Sequence, residues 1–561
     1  MEIRRRSVPE AAAALTAAGV APLIARIYAS RGVVSADELD HALTRLPSWN
    51  TFKGIDAAVA RLSIAIANGE HVLIVADYDA DGATACAVGM RGLAALGASV
   101  DFLVPNRFEF GYGLTPEIVE LAARRGPKVI VTVDNGIASV EGVAAARALG
   151  IDVVITDHHL PGEALPDTDW IVNPNQSGCA FPSKHLAGVG VMFYLLCALR
   201  TSLREHGHFA GRHPPNLAVL LDLVALGTVA DVVSLDHTNR ILVDQGLRRI
   251  RAGRAHPGIS ALFAAAGRDA ALATTYDLGF VVGPRLNAAG RLADMSIGIA
   301  CLITDDQSTA RTLASQLDQL NRERREVEAG MQEEALAAMA CATDEGACSV
   351  CLYQPQWHQG VIGIVASRLK DRFHRPAVVF ARTEENELRG SARAIVGFHM
   401  RDALDLVAKR APGTITRFGG HAFAAGLTLP EAALPRFAEE FERVARERLS
   451  PTALQRTLET DGELTTEELT LVFARELMNG VWGQGFPAPV FEGEFSLNDQ
   501  RIVGERHGRL TLVQGHRRLD AIVFNDTGPF PPRIRAAYRP EAHQFQGLFG
   551  LQIVIEAWRP A

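Results

Sequence analysis

The chain lacks most of what would mark a secreted, membrane-spanning or nucleic-acid-coating protein. It has seven cysteines in 561 residues, an odd number without regular spacing, which argues against a disulfide framework and fits a reducing compartment. Cys348-Ser-Val-Cys351 has CxxC spacing but no second pair, and it lies in a strand-like apolar run, so buried structural thiols are expected rather than zinc or redox chemistry. No apolar run reaches the roughly 18 residues of a membrane helix. The stretch from Leu217 to Val233 is broken by Asp222 and Asp231. Arg4, Arg5 and Arg6 precede an alanine-rich segment, as in a signal peptide, but Pro9 and Glu10 and a weak apolar part point to an ordinary helix start and a cytoplasmic location. Basic excess is missing too. A net charge of −8 and a pI near 6.1 argue against coating nucleic acid through bulk charge, while a local basic groove remains compatible with an acidic body. There is no internal repeat or low-complexity tract.

What is present is a well-mixed globular composition, 48% hydrophobic and 21% charged. At roughly 100–200 residues per domain, the length suggests about three or four domains. Residues 1–69 read as a helical segment. Short apolar runs then alternate with helical stretches: His71 to Ala76, Val100 to Pro105, Val129 to Val133 and Asp152 to Thr156. Such alternation predicts a parallel sheet with crossover helices over 70–304. A long helix is expected over 305–345, its apolar face marked by Leu313, Leu317 and Leu320, either bridging two domains or pairing in a coiled coil. A second α/β unit follows over 346–430. A helical linker and a small all-β barrel, read from short alternating strands with Gly and Asn turns, complete 431–561. The fold class is therefore α/β with a terminal barrel.

The polar residues gather where such a sheet binds ligands, beyond the carboxyl ends of its strands. Asp77-Tyr-Asp79-Ala-Asp81-Gly82 follows the first run. It mimics the opening of a calcium loop, but the twelfth position is Val88 rather than a carboxylate, and the motif follows a strand rather than a helix. Asp134-Asn-Gly136 and Asp157-His158-His159 close two further strands. Asp222 interrupts a buried run and needs a partner, for which a metal is one candidate. Ionised, Asp77, Asp79, Asp134 and Asp222 carry four negative charges, which two divalent cations cancel. Carboxylates mixed with imidazole suit manganese or magnesium. Two such ions can clamp the attacking and leaving oxygens of a phosphoryl displacement and lower the pKa of a bridging water. Candidate phosphate holders are Arg107, Arg285 and Arg291, with the glycine-rich turns Gly390-Ser391-Ala-Arg393 and Gly419-Gly420-His421.

These stretches resemble the DHH family of phosphoesterases. With Pro105 to Glu109, Gly111 to Leu114, Gly227-Thr-Val-Ala-Asp231, Gly283 to Arg291 and Trp357 to Gly363, they run in the family's order across most of the chain. Within the family the likeness is to the bacterial single-strand-specific exonucleases. It implies a 5′→3′ exonuclease that degrades single-stranded DNA to 5′-mononucleotides in recombination and repair, with manganese or magnesium as cofactor. By this analogy Asp77 holds one metal, Asp79, His158 and Asp222 hold the other, Asp134 bridges them, and His159 meets the scissile phosphate. Arg107, Arg285, Ser391, Arg393, Gly420 and His421 would bind the strand. The second α/β unit would be the DHH-associated domain and the barrel an OB-fold. Single-strand-binding protein and a helicase are the implied protein partners, and no membrane is implied. The chain departs from the family pattern at Ala76, Phe110 and Ser234. Two alternatives remain: a phosphodiesterase of this family acting on short oligonucleotides or cyclic dinucleotides, against which the barrel argues, and a non-catalytic DNA-binding scaffold, against which the retained acids argue.

Overall fold

Five apolar runs, the inner ones buried on both faces, form the first sheet. In the computed structural model they are β1 (His71–Ala76), β2 (Ser99–Leu103), β3 (Val129–Val133), β4 (Asp152–Thr156) and β5 (Ile171–Val172). Their order is β2-β1-β3-β4-β5, and every pair is parallel. The two-residue β5 is too short to show in the sequence pattern. The structure describes residues 2–106, 113–341, 346–383, 387–545 and 548–561. It divides into one unit of Arg5–Gln319 with Glu459–Ala561 and another of Met1–Arg4 with Leu320–Leu458.

Three helices matter for the site in the first unit: α1 (Ala80–Leu96), α2 (Gly188–Glu205) and α3 (Leu221–Ala230). α1 packs on β1 and β2 and against α2 and α3. The N-terminal region contains the helices Ala11–Ala17, Pro22–Ala29 and Ile55–Asn68, but also a short strand, Glu2–Arg5, and three single 3₁₀ turns between residues 36 and 51. α4 (Gly283–Leu292) follows a π-helical turn at Asp277–Val282. The terminal barrel is closed by β11 (Phe491–Val503), β12 (His507–Gln514), β13 (Arg517–Val523), β14 (Arg533–Phe545) and β15 (Leu548–Pro560). Alternate residues such as Leu510 and Leu512 point into a core with Phe491, Phe495 and Ile553.

The long helix α5 (Gln307–Cys341) is continuous, and the boundary between the units falls inside it. It is capped by Asp306, which accepts hydrogen bonds from Ser308 Oγ at 2.6 Å and the Thr309 N–H at 2.7 Å. Its buried face within the first unit is Ala310, Ala314 and Leu317, with Leu313 at the edge. In the second unit, β6 (Val350–Tyr353), β7 (Ala377–Arg382), β8 (Glu387–Arg393), β9 (Arg417–Gly420) and β10 (Ala424–Pro430) form one mixed sheet in the order β9-β10-β8-β7-β6. Its core holds Phe380, Phe437, Phe441 and Cys348. Burial pushes the Cys351 thiol up to about 12, as in a packed, unreactive thiol, and Cys348 is buried in the same core. Among the described residues, no helix is long and apolar enough to cross a membrane.

One buried ion pair ties the lead-in of the barrel to the N-terminal helices. The guanidinium of Arg31 donates to both oxygens of Asp461, at 2.8 and 2.9 Å, and to the carbonyl of Pro487. The two side chains are 0% and 2% exposed. Asp461 also accepts the Val490 N–H at 3.0 Å, just ahead of β11. Removing one partner strands a buried charge, at about 3–5 kcal/mol. Asp461→Ala is therefore expected to lower the calorimetric transition of the first unit by that order. An unchanged transition would show that the pair does not hold this junction.

Candidate metal centre

The parallel ladder lines up the first residue after each strand. Ala76 is level with Val133, Val133 with Thr156, and Thr156 with Val172. Asp77, Asp134 and Asp157 therefore stand in a row. The ladder continues through them: their N–H groups donate to the carbonyls of Val133, Thr156 and Val172 at 3.3, 3.0 and 3.2 Å. Chain order reverses between β1 and β3, which makes the gap between Asp77 and Asp134 the topological switch point, where sheets of this kind bind ligands. Asp134 has φ 62°, a left-handed conformation that an aspartate tolerates better than most residues.

The helices deliver the remaining groups. Asp79 caps α1, accepting from the N–H groups of Asp81 at 2.9 Å and Gly82 at 3.0 Å. Asp81, 1% exposed, accepts from the Gly188 and Val189 N–H groups at 2.6 and 3.0 Å, so its charge lies at the positive end of α2. That approach depends on Gly188, where a Cβ would fall 2.7 Å from the Asp134 side chain. From α4, Asn287 Oδ1 accepts the Ala80 N–H at 2.8 Å and steadies the acidic loop.

His158 Nε2 lies 3.0 Å from Asp134 Oδ1, 3.5 Å from Asp231 Oδ2 and 4.0 Å from Asp81 Oδ2. Its loop is held by Asp157, whose Oδ1 accepts the N–H groups of His158 and His159 and contacts His159 Nδ1 at 2.8 Å, while Oδ2 accepts the Ile137 N–H at 2.9 Å. Asn175 Nδ2 and Asn173 Nδ2 bind the carbonyls of His158 and His159. The two imidazoles are driven apart in charge. Burial, with the neighbouring charge of His159, pushes His158 down to about 4, leaving a neutral ring that can donate a lone pair. Burial opposes the charge on His159, but the Asp157 hydrogen bond and charge override it and hold the ring at about 9.

Three groupings have ligating atoms within 4.8 Å of one another: Asp77 with Asp79 and Asp134, Asp134 with His158 and His159, and Asp81 with His158 and Asp231. Asp134 and His158 are each shared by two. Burial first, then Asp81, Asp79, Asp231 and Asp77, raise the Asp134 carboxyl well above the usual range. Burial, then Asp81, Asp79 and Asp77, raise Asp231, and burial with Asp79 pushes Asp81 up to about 7. Crowded buried acids of this kind are stable as carboxylates only beside cations. The three groupings thus offer Asp77, Asp79, Asp81, Asp134 and Asp231 as carboxylate donors, of which Asp79 and Asp81 each also accept two backbone N–H groups. The oxygen-rich donor set with one neutral imidazole fits Mn²⁺ or Mg²⁺.

Asp222 is not among these groupings. Its carboxylate is buried against His256, with the Nδ1 at 2.9 Å from either oxygen and the His256 N–H donating at 2.6 Å. The expectation fails for a geometric reason. Asp222 lies in the first turn of α3 and Asp231 caps its other end, nine positions on, about 13.5 Å along the axis and on the opposite side. The buried aspartate needed a partner, and the partner is a histidine. Asp231 instead lies in a grouping with Asp81 and His158, and only its position at the end of Gly227-Thr-Val-Ala-Asp231 hinted at that. The positioning role of Asp157 carried no separate sequence sign. Val232, directly after Asp231, has φ 62°, an outlier for a β-branched residue.

Of the expected strand-binding residues, Arg107 lies outside the described residues. Arg285 is buried, with Nε and Nη2 on Asp318 Oδ1 at 3.0 and 2.8 Å and Nη1 on the Val281 carbonyl, so a phosphate would share it with Asp318. The others meet in the second unit. β10 pairs with both β8 and β9, which puts Ala425 between Ala392 and Gly420. Arg393 donates to Ser391 Oγ at 3.0 Å, and burial lowers its pKa. Gly420, at φ 142°, has no room for a Cβ, which would meet the Ala424 carbonyl at 2.5 Å. Ser391, Arg393, Gly420 and His421 therefore occupy neighbouring positions of one sheet.

Comparison with known proteins agrees with this geometry. Residues 71–228 match the family model described as DHH family, N-terminal domain. Residues 345–447 match the DHHA1 domain, and 460–557 the RecJ OB domain. The chain is 50% identical to the single-stranded-DNA-specific exonuclease RecJ of Escherichia coli K12, over 99% of this chain and 98% of that protein. It is 48% identical to the Haemophilus influenzae protein of the same name, over 96% of each. The crystal structure of RecJ from Thermus thermophilus in complex with Mn²⁺ covers all of this chain and 80% of its own at 30% identity, with a TM-score of 0.84. From its domain order, its sequence along nearly the whole length and its fold, the chain belongs to the RecJ family of DHH phosphoesterases.

Proposed function

We propose that this protein is a single-stranded-DNA-specific exonuclease that works 5′→3′ and releases 5′-mononucleotides by metal-dependent hydrolysis, in DNA recombination and repair. The observation that carries it is the row of buried acids at the switch point, joined by one neutral histidine and one charged one. Asp77, Asp79, Asp134, His158 and Asp231 would hold two Mn²⁺ or Mg²⁺ ions, with Asp134 common to both. When bound, these ions supply charge for the phosphoryl oxygens and an acidified water as nucleophile. The rest belongs to the chain. Asp157 orients both histidines. His159, proton-bearing at neutral pH, suits an oxygen of the scissile phosphate better than a cation. Arg393, Ser391 and His421, with Arg107 and Arg285, would hold the strand through its phosphates. Family resemblance extends the proposal to a cytoplasmic setting, with single-strand-binding protein and a helicase presenting the strand.

Asp134→Ala removes the shared ligand and should lower kcat on linear single-stranded DNA by about 10³-fold or more, the scale of a lost metal-site interaction, while the strand still binds. Asp231→Asn should weaken Mn²⁺ binding. Asp222→Asn should lower thermal stability and leave Mn²⁺ affinity near wild type. The reverse pattern, read by calorimetric titration, would restore Asp222 to the ligand set.

The raised acids also predict a pH effect. A carboxyl that titrates near 7 when folded, against 3.8 ordinarily, contributes stability below pH 4. That contribution is lost as pH rises through 7. The metal-free protein should therefore melt lower at pH 8 than these groups would allow at pH 5, and saturating Mn²⁺ should raise the midpoint more at pH 8. Equal Mn²⁺ shifts at both pH values would contradict the picture of crowded acids. Finally, exonuclease action needs an end: linear single strands should be digested and closed circular ones spared, as read on a denaturing gel.

A further inference from the structure

Phosphate is gripped hardest by a cation whose charge is unopposed, and Arg285 does not meet that description. It is 7% exposed, and Asp318, within α5, is 6% exposed. Both lie in the first unit. Nε and Nη2 of Arg285 converge on the same carboxylate oxygen, Asp318 Oδ1, at 3.0 and 2.8 Å, while Nη1 donates to the Val281 carbonyl at 2.6 Å. Val281 belongs to the π-helical turn that leads into α4. The guanidinium is therefore fixed from two sides, by a carboxylate of one helix and a backbone carbonyl of another. α4 itself sits against the acidic loop. Asn287 accepts the Ala80 N–H at 2.8 Å, and a Cβ at Gly290 would collide with the Tyr78 carbonyl oxygen. Arg285 is thus carried by the element that packs directly on the metal loop, and its aim is tied to α5 through one oxygen atom.

Charge gives that oxygen a second effect. A buried guanidinium without a counter-charge is costly, and the acid offsets that cost when no strand is bound. The same negative charge repels a phosphate that approaches Arg285, and repulsion between close charges is strong away from water. An exonuclease releases a mononucleotide and advances its strand in every cycle, so a grip at full strength would hold both too long. We propose that Asp318 is a positioning residue for the reaction: it aims Arg285 and moderates its hold on phosphate, so that strand and product are gripped weakly enough to leave. The inference rests on the strand-phosphate role given to Arg285 above.

The test uses the full chain with Mn²⁺. Because both donors meet on one oxygen, Asp318→Asn can keep both hydrogen bonds through its amide carbonyl while deleting the charge. Its KM for linear single-stranded DNA should fall about 10-fold at low salt, the low end of couplings between close charges at an interface. Inhibition by a deoxynucleoside 5′-monophosphate should strengthen by a similar factor, and kcat should fall because release is slowed. The slope of log KM against log salt should steepen by about 0.7, one further phosphate neutralised on a single strand. Asp318→Glu, which keeps the charge, should return slope and inhibition towards wild type. In an Arg285→Gln background, Asp318→Asn should leave the slope unchanged. Asp318→Ser, which also keeps an acceptor and deletes the charge, gives the same reading where Asn is not tolerated. A mere fold anchor predicts lower melting with KM and slope unmoved. That result, or a KM that rises in Asp318→Asn while melting and Mn²⁺ affinity match wild type, would overturn the proposal. Failure of the underlying reading looks different: the wild type leaves single strands intact, or Arg285→Gln alone does not move the salt slope.

Discussion

Mutual repulsion among buried aspartates is the constraint around which the first unit is arranged. Asp77, Asp79, Asp81, Asp134 and Asp231 are brought together by three elements: a parallel ladder whose strand ends are level, the N-terminus of α1, and the end of α3. Hydrophobic burial of the strands supplies the force. Asp77 and Asp134 ride on the first position beyond their strands, where backbone hydrogen bonds fix them, while Asp79, Asp81 and Asp231 are carried by helix ends. The close approach of α2 at Gly188 then removes water from the cluster and sharpens the repulsion. Cations are the natural answer to it, and beside the cluster stand two imidazoles of opposite tendency, His158 held neutral and His159 held charged.

Much of this was legible in the sequence, because parallel strands buried on both faces are continuous apolar runs and an acid straight after such a run stands out. Asp77, Asp134 and the Asp157-His158-His159 group were visible for that reason, as were the long helix and the barrel. The error at Asp222 is instructive. A buried acid in an apolar helix signals that a partner exists but not which one, and His256 lies 34 residues away in the chain. Periodicity located the apolar face of α5 to within one turn, whereas packing decided that Ala310 and Ala314 would lead it. β5 escaped notice because two residues carry no period. The roles of Asp157 and Asp81 became readable only once the backbone N–H groups they accept from were placed.

The second unit follows a different logic. There the candidate groups sit on the mixed sheet β6–β10, where pairing rather than strand ends sets spacing. Ser391 and Arg393 are two apart on β8 and so face the same side, while Gly420 turns β9 at a position closed to any side chain. Glycine marks a geometric requirement at Gly420, which the sequence signalled only as a glycine-rich turn.

The crowded acids have a consequence for the life of the protein in its cell. A chain that emerges and folds before cations load must carry them either protonated or strained, so the unloaded form is the less stable one. Supply of the ion then sets more than turnover: it shifts the population between a form that opens readily and one that does not, and a protease meets the former first. Replacing an acid by its amide would trade the reaction for a sturdier empty scaffold. Metal scarcity would thus reduce the amount of this protein as well as its rate.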